Sequence, residues 1–293
     1  MAVAWERTEA QPVGPDPSVR RIWLCADDYG ISLPVNAAIR DLIVRGRINA
    51  TSAMSVAPSL TRSEALSLSI LNAGGRRAAL GLHVTLTGPF RPLSQGFAPL
   101  VEGAFPTLEE LMKAAVLRRL KPALLDAEVR AQLAAFVTAF GRPPDFIDGH
   151  RHVHLFPQLR NAVLNAAKEL APDAWVRQCG ANTPLLQRLS DPKGVLVDVL
   201  SRGLKRRARA LGVATNPAFA GTYTYHADAD FAALFPLFLA GLPEAGLVMC
   251  HPGTVDAELE RLDPLTTLRE REYAYFLDDA FPGILAKHGV ALA

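Results

Sequence analysis

Short apolar runs alternate with longer segments of helical periodicity along most of the chain, and this alternation restricts its fold more than any other feature. The strands of a parallel sheet are buried on both faces and read as continuous apolar runs, with a crossover helix between successive strands. Predicted strands lie at 21–28, 49–58, 78–88, 145–156, 174–180, 216–223 and 246–253, with a short last strand at 290–293. About seven parallel strands favour an irregular, TIM-like (β/α) barrel over an open sheet.

The segments between these runs predict the helices that cover the sheet. Apolar residues recur at helical spacing in the intervals 34–47, 63–74, 107–121, 125–140, 157–170 and 231–242. Pro157 is placed in the first turn of its helix, and 264–289 is predicted as helix with a break near Pro282. We therefore expect a disordered, proline-containing lead-in at 1–20 and a single (β/α)-barrel domain at 21–293.

Composition restricts the partners of such a domain. The chain has 293 residues, of which 49% are hydrophobic, so it can bury a large core. With 20% charged residues and a formal net charge of +2, nothing indicates a nucleic-acid partner. No apolar stretch approaches the roughly 20 residues that a membrane span needs. We expect a cytoplasmic protein with no membrane span, and its apolar, aromatic C-terminal helix permits a homodimer.

Two features with possible chemistry are more typical of structural roles. The three cysteines, Cys25, Cys179 and Cys250, are far apart and lie in or beside apolar runs. This arrangement predicts buried, reduced thiols rather than a disulfide framework or a cysteine-based metal site. The basic run at 202–211 predicts a solvated helix face, with anion binding as the alternative.

Polar residues that can carry chemistry fall at the carboxyl ends of the predicted strands, where the active site of a (β/α) barrel lies. They are Asp27, Asp28, His83, Asp148, His150, Arg177 and His251. Singly, an Asp pair is typical of a helix cap or turn, and a histidine is typical of a hydrogen-bonded core residue. Jointly, these residues predict one polar cluster assembled from positions more than 220 residues apart.

The residue types in this cluster indicate a metal-dependent hydrolase. A carboxylate with two imidazoles is a common ligand set for a divalent metal ion, and it leaves positions open for water and substrate. Such an ion lowers the pKa of water and polarises a carbonyl group. The adjacent Asp27 and Asp28 can serve as a ligand and a general base, and His251 can face the substrate as the general acid.

Four motifs resemble those of the YdjC-like carbohydrate deacetylases, a family that includes chito-oligosaccharide deacetylases and hopanoid-biosynthesis-associated deacetylase-like proteins. They are LCADDYGIS followed by VNAAI, GLHVTLT, DFIDGHRHVHLFPQ, and CHPG followed by REREY. The similarity runs from about residue 20 to the end, and the segment 89–125 lies outside the strong match. The resemblance implies a (β/α) barrel that hydrolyses an N-acetyl group of an amino sugar or glycoconjugate with one divalent metal ion, Zn²⁺ or Mg²⁺.

The same resemblance implies a role for each of the main polar residues. The metal would be held by Asp28, His83 and His150. Asp27 would be the base that takes a proton from the attacking water, and His251 the acid that protonates the leaving amine.

Four residues receive supporting roles in this prediction. Asp148 is expected to orient an imidazole, and Arg177 either binds a sugar hydroxyl or is structural. His152 and His154 alternate with His150 on the predicted strand and would share its face, but residues two apart on a strand are about 6–7 Å apart, too far for one ion to bind all three. His152 and His154 are therefore expected to line the substrate cleft or to support the ligand.

Two other functions remain open from the sequence. The same triad suits a metal-dependent esterase or phosphoesterase, because a fold does not determine the bond that is cleaved. A phosphate substrate would favour further basic residues near the strand ends, where only Arg177 stands out. A non-catalytic sugar-binding barrel is the third possibility, and the presence of both Asp27 and His251 argues against it.

Overall fold

The computed structural model describes residues 18–75, 77–181 and 192–293, so the lead-in predicted at 1–20 lies almost entirely outside the described residues. Eight strands form the sheet, and every pairing between them is parallel. The strands are β1 (Arg20–Tyr29), β2 (Ala50–Ala53), β3 (Ala79–Val84), β4 (Phe146–Gly149), β5 (Trp175–Val176), β6 (Phe219–Ala220), β7 (Leu247–Cys250) and β8 (Val290–Leu292). The predicted parallel α/β architecture is confirmed.

β1 is the strand around which the sheet is organised. The strands lie in the order β5-β4-β3-β2-β1-β7-β6, and β8 pairs with the first residues of β1. The two ends of the sheet approach each other, because the backbone N–H of Val176 in β5 donates to the carbonyl of Ala214, shortly before β6 (2.9 Å). The sheet therefore curls into an irregular barrel, as predicted.

Ten helices among the described residues pack around this sheet. They are α1 (Leu33–Val44), α2 (Arg62–Ile70), α3 (Leu108–Val116), α4 (Pro122–Phe140), α5 (Leu159–Leu170), α6 (Pro192–Leu211), α7 (Phe231–Leu239), α8 (Ala257–Leu262), α9 (Thr267–Leu277) and α10 (Phe281–Lys287). The predicted break near Pro282 is confirmed, since α9 ends at Leu277 and Pro282 lies in the first turn of α10. The basic run at 202–211 forms the second half of α6, and the short helix α8 was not predicted.

The core between the sheet and the helices holds the strand ends in place. Ile22 and Leu24 of β1 and Ile39 and Leu42 of α1 are fully buried. Each such aliphatic side chain contributes about 1.5–3 kcal/mol to folding. The three cysteines are free and buried, as predicted. Within the described ranges, no helix is both long enough and apolar enough to cross a membrane.

The predicted strand at 145–156 is wrong in its second half. β4 ends at Gly149, and residues His150–Leu155 form a 3-10 segment in which Arg151 and His152 have left-handed φ angles of 52° and 59°. The strand ends because its neighbour also ends: Gly149 pairs with Val84, the last residue of β3. Beyond that point the backbone has no ladder partner, so the three histidines do not share one strand face.

The chain turns once more before α5 begins. Gln158 has a left-handed φ of 70°, and the helix starts only at Leu159. Pro157 therefore precedes the helix, and its predicted place in the first turn is wrong. The side chain of Gln158 donates a hydrogen bond from Nε2 to the carbonyl of Leu120 (2.7 Å), so the residue that precedes the helix is tied to the chain just before α4.

Candidate active site

The end of β1 supplies two neighbouring carboxylates. Successive side chains of a regular strand point to opposite faces, so Asp27 and Asp28 would normally diverge. Asp28 instead has a left-handed φ of 69°, and the register of β1 with β2 shifts between Ala26 and Tyr29. This bulge redirects the chain, and both carboxylates are buried within the site. A left-handed aspartate costs on the order of 1 kcal/mol, a strain that is typical of functional positions.

Asp28 lies against two imidazoles that come from other strands. Its Oδ1 is 3.2 Å from Nε2 of His83 on β3 and 2.9 Å from Nδ1 of His150, directly after β4. All three side chains are buried, and their potential ligand atoms lie within 4.8 Å of one another. The two imidazole rings meet edge to face, with centroids 5.6 Å apart. The structure thus brings together the three residues that the sequence analysis named as metal ligands.

A second carboxylate fixes the orientation of His83. Asp148 Oδ1 lies 2.6 Å from His83 Nδ1, and Ser52 Oγ lies 3.0 Å from the same nitrogen. These contacts leave Nε2 directed at Asp28, which is the arrangement that an orienting carboxylate produces at a metal site. Burial by itself would lower the pKa of His83, but the charges and hydrogen bonds of Asp148 and Asp28 raise it to about 10. The carboxylates around His83 therefore favour a positive charge at this imidazole.

Two further charged residues complete the surroundings of Asp28. Arg269 on α9 donates from Nη2 to Asp28 Oδ2 (2.6 Å), and Asp263 Oδ2 lies 3.6 Å from His150 Nε2. Burial would raise the pKa of Asp28, but Arg269 and His150 outweigh it and hold this pKa well below its usual range. Asp28 therefore stays ionised and keeps one oxygen, Oδ1, for the two imidazoles.

Sequence reasoning did not identify Arg269 or Asp263 as part of the site. A signal for Arg269 was present, because Arg269, Glu272 and Phe276 follow one helical stripe and all three are buried. Charged residues on a buried stripe need partners inside the protein. Asp263 follows the end of the unpredicted helix α8 and gave no comparable signal.

Arg177 forms ion pairs with two other carboxylates of the site, those of Asp27 and Asp148. Its Nη1 and Nη2 each donate to one oxygen of Asp27 at 2.7 Å, and Nη2 lies 2.5 Å from Asp148 Oδ2. Burial would raise the pKa of Asp27, but Arg177 and then His83 lower it below its usual range. The side chain of Arg177 has no exposed surface, which favours a positioning role over contact with a sugar hydroxyl.

Arg177 also accounts for a second group of potential ligand atoms. Cys25, Asp27 and Asp148 converge closely enough to bind an ion. The guanidinium of Arg177 already lies among them, with Nη2 2.9 Å from the Cys25 sulfur. Burial raises the pKa of the Cys25 thiol, so the sulfur stays protonated. This group therefore already holds a cation of the protein's own, the guanidinium of Arg177.

His251 lies at the end of β7 and is held by a buried glutamate. Its backbone N–H donates to Glu272 Oε2 (2.5 Å), and the hydroxyl of Tyr223 donates to Glu272 Oε1 (2.6 Å). Burial raises the pKa of Glu272 to about 7, despite these hydrogen bonds. The imidazole of His251 is partly exposed, and its ring meets that of Tyr225 edge to face at 5.8 Å. Desolvation lowers the pKa of His251 to about 4, so the ring is neutral at rest.

His152 and His154 lie apart from the cluster around Asp28. His154 Nε2 is 2.9 Å from the carbonyl of Arg177, and His152 Nδ1 is 3.5 Å from the sulfur of Cys179. Burial lowers the pKa of each histidine to about 3, so both are neutral. The left-handed turn after His150 separates its ring from those of His152 and His154, which meet edge to face with centroids 6.4 Å apart, and His154 contacts the backbone of Arg177 just after β5.

A curled parallel barrel with a buried Asp/His/His cluster and an arginine-paired aspartate at the strand ends defines an enzyme-like α/β-barrel protein. The family to which the chain belongs follows from its sequence. The model of the YdjC-like protein family matches residues 21–287, so the chain is a member of that family.

Named relatives cover most of the chain. A chitooligosaccharide deacetylase of Serratia marcescens is 29% identical over 248 residues, which cover 80% of this chain and 82% of the relative. A carbohydrate deacetylase of Clostridium beijerinckii is 25% identical over 281 residues, covering 88% of this chain and 95% of the relative. These are the proteins to which the chain is similar in sequence.

A solved structure shares the fold. A crystal structure from Enterococcus faecalis V583, of a protein described as a candidate for cellobiose-phosphate cleavage, superimposes with a TM-score of 0.74 at 19% identity. The match covers 94% of this chain and 97% of that chain. At this level of identity the likeness supports the irregular barrel and no particular activity.

Proposed function

We propose that this protein is a divalent-metal-dependent hydrolase that removes an N-acetyl group from an amino sugar or glycoconjugate. The observation that carries the proposal is the convergence of Asp28, His83 and His150 beside the ionised Asp27. His251 reaches the same end of the barrel from β7. The deacetylase names of the two relatives described above support the choice of reaction.

The chemistry of the donor set fits a metal ion. One carboxylate oxygen and two imidazole nitrogens are typical ligands of Zn²⁺ and of several other divalent ions. All three side chains are buried here, and Asp148 and Arg269 orient His83 and Asp28 respectively. Two imidazoles favour Zn²⁺ over Mg²⁺, because Mg²⁺ prefers oxygen ligands. When bound, the ion would polarise the acetyl carbonyl and make water more acidic.

Asp27 is proposed as the general base. Its bidentate pairing with Arg177 keeps it ionised and directs it, because both guanidinium nitrogens must be satisfied at once. A carboxylate with a depressed pKa is a weak base, so it can accept a proton only from water that has been made acidic. This requirement agrees with a site in which Asp27 lies beside the cluster around Asp28.

His251 is proposed as the general acid for the leaving amine. It is neutral at rest, so it takes up a proton from solvent through its partly exposed ring and passes that proton to the amine as the C–N bond breaks, while the proton of the attacking water goes to Asp27. Negative charge that develops on the acetyl group as water attacks would raise the pKa of a nearby imidazole and favour that proton. The backbone hydrogen bond to Glu272 holds His251 at the end of β7 while the charge changes.

The structure gives less support to a phosphoesterase. A phosphate substrate would call for exposed guanidinium or ammonium groups at the site. Arg177 and Arg269 both have no exposed surface and are paired with carboxylates. Neither arginine is available to a phosphate without breaking a buried ion pair. Ester hydrolysis needs the same groups as amide hydrolysis and is separated from it by experiment.

The proposal is tested by measuring acetate release. The purified protein, stripped of metal and then reloaded with Zn²⁺ or other divalent ions, is incubated with N-acetylglucosamine oligomers, a simple acetyl ester and a phosphoester. We expect acetate from the N-acetylated sugars only after reloading. Asp27→Asn is the matched control: activity falls by at least about 100-fold while metal content stays normal, because Asp27 is not a ligand in this assignment. Turnover of the phosphoester alone would overturn the proposal.

A further inference from the structure

Tyr225 is an aromatic residue that is exposed to solvent beside the proposed general acid, His251. Tyr225, in the loop between β6 and α7, is 41% accessible to solvent. It meets the imidazole of His251 edge to face, with 5.8 Å between centroids and 81° between planes. The pKa of the Tyr225 hydroxyl is raised, first by desolvation and then by Glu272 and Asp27. Tyr225 is therefore exposed to solvent and lies directly beside the proposed acid, His251.

We infer that Tyr225 is the platform on which the sugar ring of the substrate stacks, and that it helps to determine specificity for a sugar. This inference rests on the proposed deacetylase function and extends it to the part of the substrate that does not react. The ligand class is an N-acetylated pyranose, whose apolar C–H face lies on the aromatic ring.

The platform packs against a partly buried aromatic cluster. The ring of Tyr223 lies 4.5 Å from that of Tyr225, and on its other sides it contacts Phe231 and Phe238 at 5.9 and 6.3 Å. The Tyr223 hydroxyl is held by Glu272. One surface of Tyr225 is thus fixed by packing, which leaves the remaining surface for a ligand.

Glu272 connects this platform to the proposed general acid. One carboxylate oxygen accepts from the hydroxyl of Tyr223, and the other accepts from the backbone N–H of His251. The loop that bears Tyr225 and the strand end that bears His251 are therefore held by the same buried side chain. A sugar stacked on Tyr225 would have its nitrogen near His251, and rigid placement of both reduces the entropy lost on binding.

The chemistry of Tyr225 agrees with a pyranose rather than with a charged ligand. A tyrosine presents a large, rigid apolar face, and aromatic contacts of this kind contribute about 0.5–1.5 kcal/mol beyond the area that they bury. Exposure of such a ring beside a polar site has no benefit for folding, since burial would be favourable. An apolar sugar face covers the ring, while the hydroxyl groups at the edge of the sugar stay in water.

The test separates binding of the sugar from cleavage of the acetyl group. Steady-state kinetics of the metal-loaded wild type, Tyr225→Ala and Tyr225→Phe are compared on N,N′-diacetylchitobiose and on 4-nitrophenyl acetate, which has no sugar ring. We expect Tyr225→Ala to raise KM for the sugar about tenfold and to leave the ester rate within about twofold, whereas Tyr225→Phe retains the sugar KM. Leu66→Ala, which removes an exposed aliphatic side chain on α2, is the matched control and should leave the kinetics on both substrates unchanged.

Direct binding gives a second readout. In the Asp27→Asn background, in which turnover is at least about 100-fold slower, titration calorimetry with diacetylchitobiose should show a dissociation constant about tenfold larger when Tyr225→Ala is added. If Tyr225→Ala lowered kcat/KM equally for the sugar and for the ester, the inference would be overturned, because Tyr225 would then only position His251. An unchanged sugar KM would also overturn it and leave the proposed function intact. If the wild type hydrolyses no N-acetylated sugar, the proposed function itself fails.

Discussion

Arg177 donates a hydrogen bond from each of its two terminal nitrogens to the carboxylate of Asp27, 150 residues earlier in the chain, at 2.7 Å each. The same guanidinium reaches Asp148, which in turn orients His83. One buried cation therefore contacts two buried carboxylates, one proposed as the base and one that positions a proposed ligand. The ion pair spans the barrel from β1 to the end of β5 and couples folding to the assembly of the site.

Replacement of Arg177 should therefore affect both stability and activity. Arg177→Met leaves the buried carboxylate of Asp27 without its bidentate partner and leaves Asp148 with His83 alone, and we expect a loss of about 3–5 kcal/mol in the free energy of unfolding. Arg177→Lys restores the charge but not the bidentate geometry, so it should recover part of the stability and little of kcat. Urea denaturation and kcat measurements check both variants. A methionine variant as stable as the wild type would contradict the assignment.

His150 and His154 form a matched pair for testing the metal site. His150→Ala should reduce the bound metal to well below one equivalent, because it removes one of three proposed ligands. His154→Ala should leave the metal content near normal and lower stability by about 1–3 kcal/mol, because the buried carbonyl of Arg177 loses its partner. Elemental analysis after gel filtration gives the metal content. Normal metal in His150→Ala would exclude this ligand set.

Asp148→Asn tests whether the orientation of His83 matters for metal affinity. An amide in place of the carboxylate weakens the contact with His83 Nδ1, and we expect metal affinity to fall by about 10–100-fold. Competition with a chromogenic chelator measures the change. Asp126→Asn, which removes an ion pair with Arg130 on the surface of α4, is the control and should leave the affinity unchanged.

Glu272 gives a prediction for the dependence of stability on pH. Burial raises its pKa in the folded protein from 4.5 to about 7, so the folded state retains a proton that the unfolded state has already lost. The stabilisation of the folded state by this retained proton is fully present below about pH 4.5 and is lost as the pH rises through about 7. Its size is about 3 kcal/mol, at 1.36 kcal/mol for each unit of pKa.

The comparison of wild type with Glu272→Gln isolates this contribution from the other titrating groups. The neutral glutamine resembles the protonated acid, so the variant should gain about 3 kcal/mol relative to the wild type between pH 4.5 and pH 7.5. Denaturation curves at several pH values measure the difference. A difference that does not change with pH would show that Glu272 is ionised in the folded state throughout.

The fold could be predicted because its signal is local and repeated. Continuous apolar runs such as 78–88 indicate strands that are buried on both faces, and helical segments between them require parallel pairing. The boundaries were less predictable, because β3 ends at Val84 and the chain beyond it has no strand partner. The turn at His150–Leu155 could not be predicted for the same reason, since its cause is the end of a neighbouring strand.

The sequence by itself determined that the chain forms a parallel barrel and that Asp27, Asp28, His83 and His251 lie near the carboxyl ends of its strands. Parallel strands place all these ends on one side, so the gathering of the residues follows from topology. Only the tertiary structure decided the pairing of their atoms. Bonds such as those of Arg177 to Asp27 and of Arg269 to Asp28 depend on the curvature of the sheet and on a bulge in β1.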